Sequence, residues 1–317
     1  MNKTNSDTTS PLGTRYQPAW QTVLVVWVLA AACTATLAQD VPTLKKIRDT
    51  GKIVLGVREN SPPMAYDIGG GKYVGYHVEL CERIVESLRT KLKMPITIDY
   101  MAVTSQNRIP LVTNGTVDLE CAATTNNLAR QAQVGFGLTT FVTEVRMAVR
   151  AQSNITSIQQ LNGRFVAAST GTTAVQLLRR HERGANIDFK EVYGKDHTES
   201  FLLLESGRAE AFVLDDNLLA GLISGARRPE DFRIAGEVLS VEPIAVMFRK
   251  DDPEFKKAVD DEIRAQMKSG ALDKLYARWF LQPIPPKGQN VNLAMSAGLK
   301  ALIANPNDLP YESYLKK

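Results

Sequence analysis

Apolar and polar positions follow two rhythms along this chain. Short, largely apolar runs, as expected of buried strands, occur at Ile53–Val57, Ile96–Val103, Thr116–Ala122, Phe141–Arg150, Phe165–Ala168, Ile187–Val192 and Ala211–Leu214. Later strands are expected at Ile234–Gly236 and Ile244–Arg249. Between these runs the spacing is helical: Val78, Cys81, Val85, Leu88 and Leu92 share one face of a helix over Val78–Leu92. Leu44–Thr50 reads as a helix with Thr43 as N-cap and Gly51 as its end. Further helices are expected over Glu199–Glu205, Asp252–Met267, Leu272–Phe280 and near Ala294–Ile303. Strand, helix, strand in repetition defines an α/β fold with parallel sheets, whose sites lie at the carboxyl ends of the strands.

Phe141–Arg150 is read as a strand that leaves the first α/β unit, and Ile244–Arg249 as one that returns to it. With no linker between, this predicts two lobes joined by two crossing strands, and hence a hinge. The expected division is residues 40–145 with 244–317 for lobe 1, including a C-terminal extension, and 146–243 for lobe 2. Residues 1 to about 20 are polar, with Lys3 and Arg15; Val23–Ala32 is an apolar core, and Thr36-Leu37-Ala38 offers small residues for cleavage. Residues 1–38 therefore read as a secretory signal peptide cut after Ala38. The apolar run is short for a membrane helix, which needs about 20 residues. Cys33 follows three alanines but lacks the leucine of a lipoprotein site. An exported chain permits disulfides. Cys81 on the inward helix face and Cys121 in a central strand could bond, or be two separately buried thiols.

Composition removes several function classes. The 317 residues suffice for two domains, and 44% hydrophobic with 23% charged residues is ordinary for a globular protein. A net charge of +4, without a basic run interleaved with aromatics, argues against nucleic acid. Three cysteines without a CxxC pair and three scattered histidines give no metal or haem signature, so no cofactor is expected. The triplet Gly69-Gly70-Gly71 is read as a hairpin tip: Lys72 is followed by Tyr73, and Gly75 comes one residue late for a dinucleotide fingerprint.

Candidate chemistry collects in loops at strand ends. Arg58 follows the strand Ile53–Val57, where Pro62 and Pro63 forbid ladder pairing and predict a turn. Thr104, Ser105, Asn107 and Arg108 open a helix; Thr124 to Asn127 follow another strand, with Arg130 one turn later. Ser169 to Thr173 form a hydroxyl loop before a helix, and Asp215-Asp216 end a strand. Singly, such residues are helix caps and surface arginines. Together they describe a receptor for a small molecule carrying carboxylates.

The stretches SQNRIPL at 105–111, LECAATTNNLARQ at 119–131, KDHTESFLLLESGRAEAFVLDD at 195–216, MFRKDDPEFKK at 247–257 and QPIPPK at 282–287 carry a resemblance. The chain resembles the type II periplasmic solute-binding proteins of polar amino-acid ABC transporters, and within them the glutamate/aspartate-binding branch. The resemblance implies two α/β lobes that close on one amino acid, a periplasmic location, a membrane permease as partner and a monomer. It implies that Arg130, with Thr125 and Thr172, clamps the α-carboxylate and that Asp215 receives the α-ammonium. Arg58, Ser105, Arg108 and His197 would surround the side-chain carboxylate. Arginine suits this task because its planar fork binds a carboxylate bidentately and stays charged. Two departures stand out: Ala123 occupies a position commonly serine in that branch, and Ser240–Val246 differs from it.

Two alternatives remain open at this stage. One is a neutral polar ligand such as glutamine or asparagine. The other is a dehydratase-like enzyme on the same scaffold, with Glu59, Glu242 or His197 as acid or base, although no paired carboxylates, Ser/His/Asp or Cys/His constellation is present.

Overall fold

The computed structural model describes residues 42–185 and 187–315. The expected signal peptide 1–38, its cleavage point and Cys33 lie outside the described residues. The described chain begins with α1 (Thr43–Thr50), β1 (Lys52–Val57), β2 (Asn60–Ser61), β3 (Ala65–Asp67), β4 (Tyr73–Val74) and α2 (Tyr76–Leu92). Next come β5 (Thr97–Ala102), α3 (Arg108–Thr113), β6 (Leu119–Glu120), α4 (Leu128–Gln131) and β7 (Val134–Phe136). A second group holds β8 (Phe141–Arg150), β9 (Phe165–Ser169), α5 (Thr173–Ala185), β10 (Lys190–Gly194), α6 (His197–Glu205), β11 (Ala211–Asp215), α7 (Asp216–Gly225) and β12 (Phe232–Ile244). The chain closes with β13 (Met247–Arg249), α8 (Pro253–Lys268), α9 (Ala271–Phe280) and α10 (Ala297–Ala304).

These strands form two five-stranded sheets, ordered β5-β1-β6-β13-β7 and β10-β9-β11-β8-β12, and a small sheet β2-β3-β4. Each large sheet is mixed rather than wholly parallel. Three strands in each run parallel, β5/β1/β6 and β10/β9/β11. The strands that cross between sheets run against them: β13 is antiparallel to β6 and β7, and β8 to β11 and β12. A strand arriving from the neighbouring sheet enters from the opposite end, so its direction is reversed.

Packing follows the sequence pattern on α2. Val78, Cys81, Val85 and Leu88 are buried under the first sheet, and Cys81 is bonded to Cys121, clipping the helix to the segment after β6. One apolar cluster runs from Leu55 and Ile84 through Phe141 to Phe212 and Leu218, so the sheets share a continuous core. Phe141, at the start of β8, stacks on Phe280 with centroids 5.1 Å apart, and Tyr276 stacks on Phe280 at 4.5 Å. Tyr76 donates to the Thr140 carbonyl at 2.9 Å. His77 holds the Ala122 carbonyl through Nδ1 and Thr140 Oγ1 through Nε2, the latter at 2.7 Å. The root of the crossing ribbon is thereby anchored to α2 and α9.

Loops of the two sheets meet directly. A Cβ on Gly171 (φ +76°) would lie 2.8 Å from the Ser105 carbonyl carbon, and one on Gly221 would lie 2.1 Å from the Pro62 oxygen. Asn60 Nδ2 donates to Asp196 at 3.1 Å across the same boundary. Beyond α10 the chain turns back along the Thr124–Asn127 loop: Thr139 N donates to the Asn307 carbonyl at 2.9 Å, Tyr311 N to the Asn126 carbonyl at 2.8 Å, and Leu128 N to Glu312 at 3.0 Å.

Several sequence expectations shift. The run Thr116–Ala122 pairs only at Leu119–Glu120, because Val117 N is taken by the Leu111 carbonyl in the preceding turn. Asn60–Ser61 pairs with β3 just ahead of the two prolines, where a turn is expected. Ile187–Val192 starts later, at Lys190, where the ladder with Phe165 begins. Residues 234–236 and Ile244 belong to one strand, β12, whose register with β8 shifts between Ala235 and Ser240. Thr43 is not the cap of α1; Pro42 is, and Thr43 N donates to Asp252 at 2.7 Å. Strand β7 and helix α7 lack clear signals in the apolar pattern.

Candidate functional site

At the carboxyl ends of the parallel strands, Ser105, Arg108, Ala123, Thr125, Arg130, Thr172, Thr173, His197, Leu214, Asp215 and Leu218 line one narrow space. Seven of the eight sequence-predicted binding residues are in this lining. The eighth, Arg58, stands one layer back: its Nη1 donates to Ser105 Oγ at 2.9 Å and its Nη2 faces His197 Nε2 at 3.5 Å.

Each guanidinium is placed by local geometry. Arg58 follows the last residue of β1 and Arg108 begins α3. Arg108 Nη1 reaches the Ala123 carbonyl at 3.4 Å, and its Nε, buried, has no hydrogen-bond partner among the described residues. Arg130 lies in the short helix α4, whose N-cap Asn127 accepts from Arg130 N at 2.9 Å. Arg130 Nη1 donates to the Thr125 carbonyl at 2.8 Å, which aims the side chain back over its own loop. Burial, reinforced by the Arg108 charge, pushes Arg58 down to about 10 and Arg130 to about 9. Burial lowers Arg108 too, opposed by Glu120 and Asp215. Three cations in a buried space therefore favour an anionic guest.

The carboxylates divide the work. Asp216 accepts from Thr143 Oγ1 at 2.7 Å and from Asn217 N at 2.8 Å, tying α7 to β8. Asp215 lines the cavity; burial first, then Glu242 and Asp216, push its pKa well above the usual value, against Arg108 and Arg130. A buried carboxylate in that condition favours an incoming cation. Glu120 lies within the first sheet and accepts from Thr124 Oγ1 at 2.9 Å. Burial raises its pKa and Arg108 draws it back. Glu120 and Thr173 are absent from the sequence-derived site. The signal for Glu120 is a charge inside an apolar strand; Thr173 was visible as part of its hydroxyl loop.

His197 Nδ1 lies 2.8 Å from Ser169 Oγ. A guanidinium only donates, so Nε2 accepts from Arg58 and the ring is neutral, with its proton on Nδ1. Burial and then Arg58 and Arg108 hold its pKa well below the usual value. Of the acid–base candidates, Glu59 is exposed and Glu242 accepts hydroxyls from Thr125 and Thr173. Among the described residues no group of three or more His, Cys, Asp or Glu could hold a metal ion.

Two sheets with a polar cavity between their loops define a two-lobed binding protein, and the comparisons agree. The chain belongs to the bacterial extracellular solute-binding proteins, family 3, whose pattern matches residues 53–282. It is 44% identical over 285 residues to the L-glutamate/L-aspartate-binding protein of Pseudomonas aeruginosa, covering 89% of this chain and 94% of that one. It is 42% identical over 289 residues to the glutamate/aspartate import solute-binding protein of Escherichia coli, with 89% and 96% covered. Among solved structures, the solute receptor for L-cysteine of Neisseria gonorrhoeae superposes with a TM-score of 0.66 at 27% identity, covering 75% of this chain and 93% of its own. An ancestral arginine-binding protein bound to arginine gives 0.65 at 25%, covering 73% and 98%.

Proposed function

We propose that the chain captures an acidic amino acid, glutamate or aspartate, in the cleft and delivers it to the permease of an ABC transporter. Export by a cleaved signal peptide to the periplasm and action as a monomer belong to the same reading. So do lobes of residues 40–145 with 244–317 and of 146–243, hinged on β8 and β12. The observation that carries it is the meeting of Arg108, Arg130 and Asp215 on one narrow cavity. A zwitterion with an acidic side chain has two anionic ends and one cationic end, and these three groups complement it. Arg130 takes the α-carboxylate, Asp215 the ammonium and Arg108 the side-chain carboxylate. Arg58 acts through Ser105 and His197. The names of the Pseudomonas and Escherichia relatives support the same ligand class.

Calorimetric titration of the purified chain with L-glutamate, L-aspartate and L-glutamine tests this. Both acidic ligands are expected to bind, and glutamine to bind far more weakly, because its amide leaves a buried guanidinium without a counter-charge. Arg130→Ala is expected to weaken every amino acid by about a hundredfold or more, given the strength of charge-assisted bonds. Arg108→Ala should weaken acidic ligands preferentially and narrow the gap to glutamine. Tighter binding of glutamine than of either acid in the wild type defeats the acidic reading.

A further inference from the structure

Glu242 is a buried carboxylate held by three hydroxyl groups. It stands on β12 opposite Thr143 of β8, where the ribbon passes from one sheet to the other. Its Oε2 accepts from Thr125 Oγ1 at 2.6 Å and from Thr173 Oγ1 at 2.9 Å, and its Oε1 accepts from Ser240 Oγ at 3.3 Å. Thr125 belongs to the loop after β6, in the first sheet; Thr173 opens α5, in the second. Both residues line the cavity. One carboxylate oxygen thus gathers a hydroxyl from each side of the cleft.

The polarity of those hydroxyls follows. A hydroxyl has one proton and two lone pairs, and a carboxylate only accepts. Thr125 and Thr173 therefore give their protons to Glu242 and keep lone pairs for anything else they meet. Thr172 does likewise, donating to the Ser169 carbonyl at 2.7 Å. Three cavity-lining threonines are thus acceptors in this state. Acceptors match an ammonium, which has three N–H donors, and do not match a carboxylate. For the side chains of Thr125 and Thr172, this departs from the carboxylate-clamping role implied by the family resemblance. At position 123, where the family resemblance implies a serine hydroxyl, this chain has alanine.

We infer that Glu242 is a positioning residue that sets Thr125 and Thr173 as acceptors for the ligand ammonium and links this setting to the meeting of the two lobes. The inference rests on the amino-acid reading of the cleft. Glutamine at 242 would remove the charge that makes these hydrogen bonds strong, and its NH₂ group would displace either the Ser240 hydroxyl or the two threonine hydroxyls.

The test is a double-mutant cycle on the full chain, read by L-glutamate affinity. Glu242→Gln is expected to weaken binding about tenfold, the scale of one charge-assisted hydrogen bond. In a Thr173→Val background the same substitution is expected to cost at least about threefold less, because one of its targets is gone. Equal losses in both backgrounds, or no loss from Glu242→Gln, overturn the inference. Should Glu242→Gln fail to fold, Thr173→Val against Thr173→Ser decides: the valine is expected to weaken binding and the serine to preserve it, and equal affinities refute the role. A wild-type chain that does not bind L-glutamate overturns the acidic-ligand reading and this inference with it. Wild-type binding with an indifferent Glu242→Gln overturns the role of Glu242 alone.

Discussion

A buried histidine just behind the cleft lining supplies a test at the scale of single residues. His77 is fully buried, and burial holds its pKa down to about 4, against the Ala122 carbonyl that favours the charged ring. In the unfolded chain the ring takes a proton near its ordinary value of about 6.5. Between these values the unfolded state binds more protons than the native one, so this group's contribution to stability falls as pH falls from about 6.5 to about 4. The loss amounts to roughly 3 kcal/mol for a shift of this size. His197 acts in the same sense, while Asp215, whose folded pKa is raised, acts in the opposite one. Melting temperatures measured from pH 7 to pH 4 should therefore drop less steeply in His77→Gln than in the wild type; parallel curves would refute the assignment. Much of the cleft was legible at this scale, since arginine and hydroxyl residues at strand ends can be read directly. Their second partners were not: which way a threonine points its proton, or that Arg58 reaches Ser105 instead of the cavity, depends on side chains that meet only after both lobes fold.

Closure is decided by elements. The loop between β9 and α5 passes so near the start of α3 that Gly171 has no room for a side chain. Gly171→Ala is expected to wedge the two sheets apart, and its positive φ adds strain. An overpacking cost of about 1–3 kcal/mol falls on the closed form, so glutamate affinity should drop by about tenfold or more. Small-angle scattering of the variant should show a larger radius of gyration with ligand than the wild type shows. Undiminished affinity would mean that the contact is not needed for capture. Element type was readable where the apolar period was long, as on α2 and β8. Boundaries failed where hydrogen bonds outside the run decide them, as at Val117, whose amide is used by the turn before β6.

The architecture of the whole molecule, two α/β sheets joined by crossing strands, was legible from the strand–helix order; the apolar cluster that runs through both sheets was not. The mixed direction of each sheet was not, because it depends on the end from which a crossing strand enters. The bond between Cys81 and Cys121 spans 40 residues and holds α2 to the central strand that leads into the Thr124–Asn127 loop. Replacing both with serine is expected to lower stability by about 2–4 kcal/mol and the melting temperature by roughly 5–10 °C. An unchanged melting temperature in the double variant, measured against oxidised wild type, would show that the bridge does not limit stability. Near the carboxyl end, Tyr311 and Glu312 bond to the loop carrying Arg130, while Tyr311 also takes a hydrogen bond from Arg180 of α5 at 3.5 Å. This tail therefore touches both jaws of the trap at once. A fluorescent dye attached there would sit where jaw movement changes its surroundings, so its emission could serve as a direct gauge of amino-acid concentration in solution.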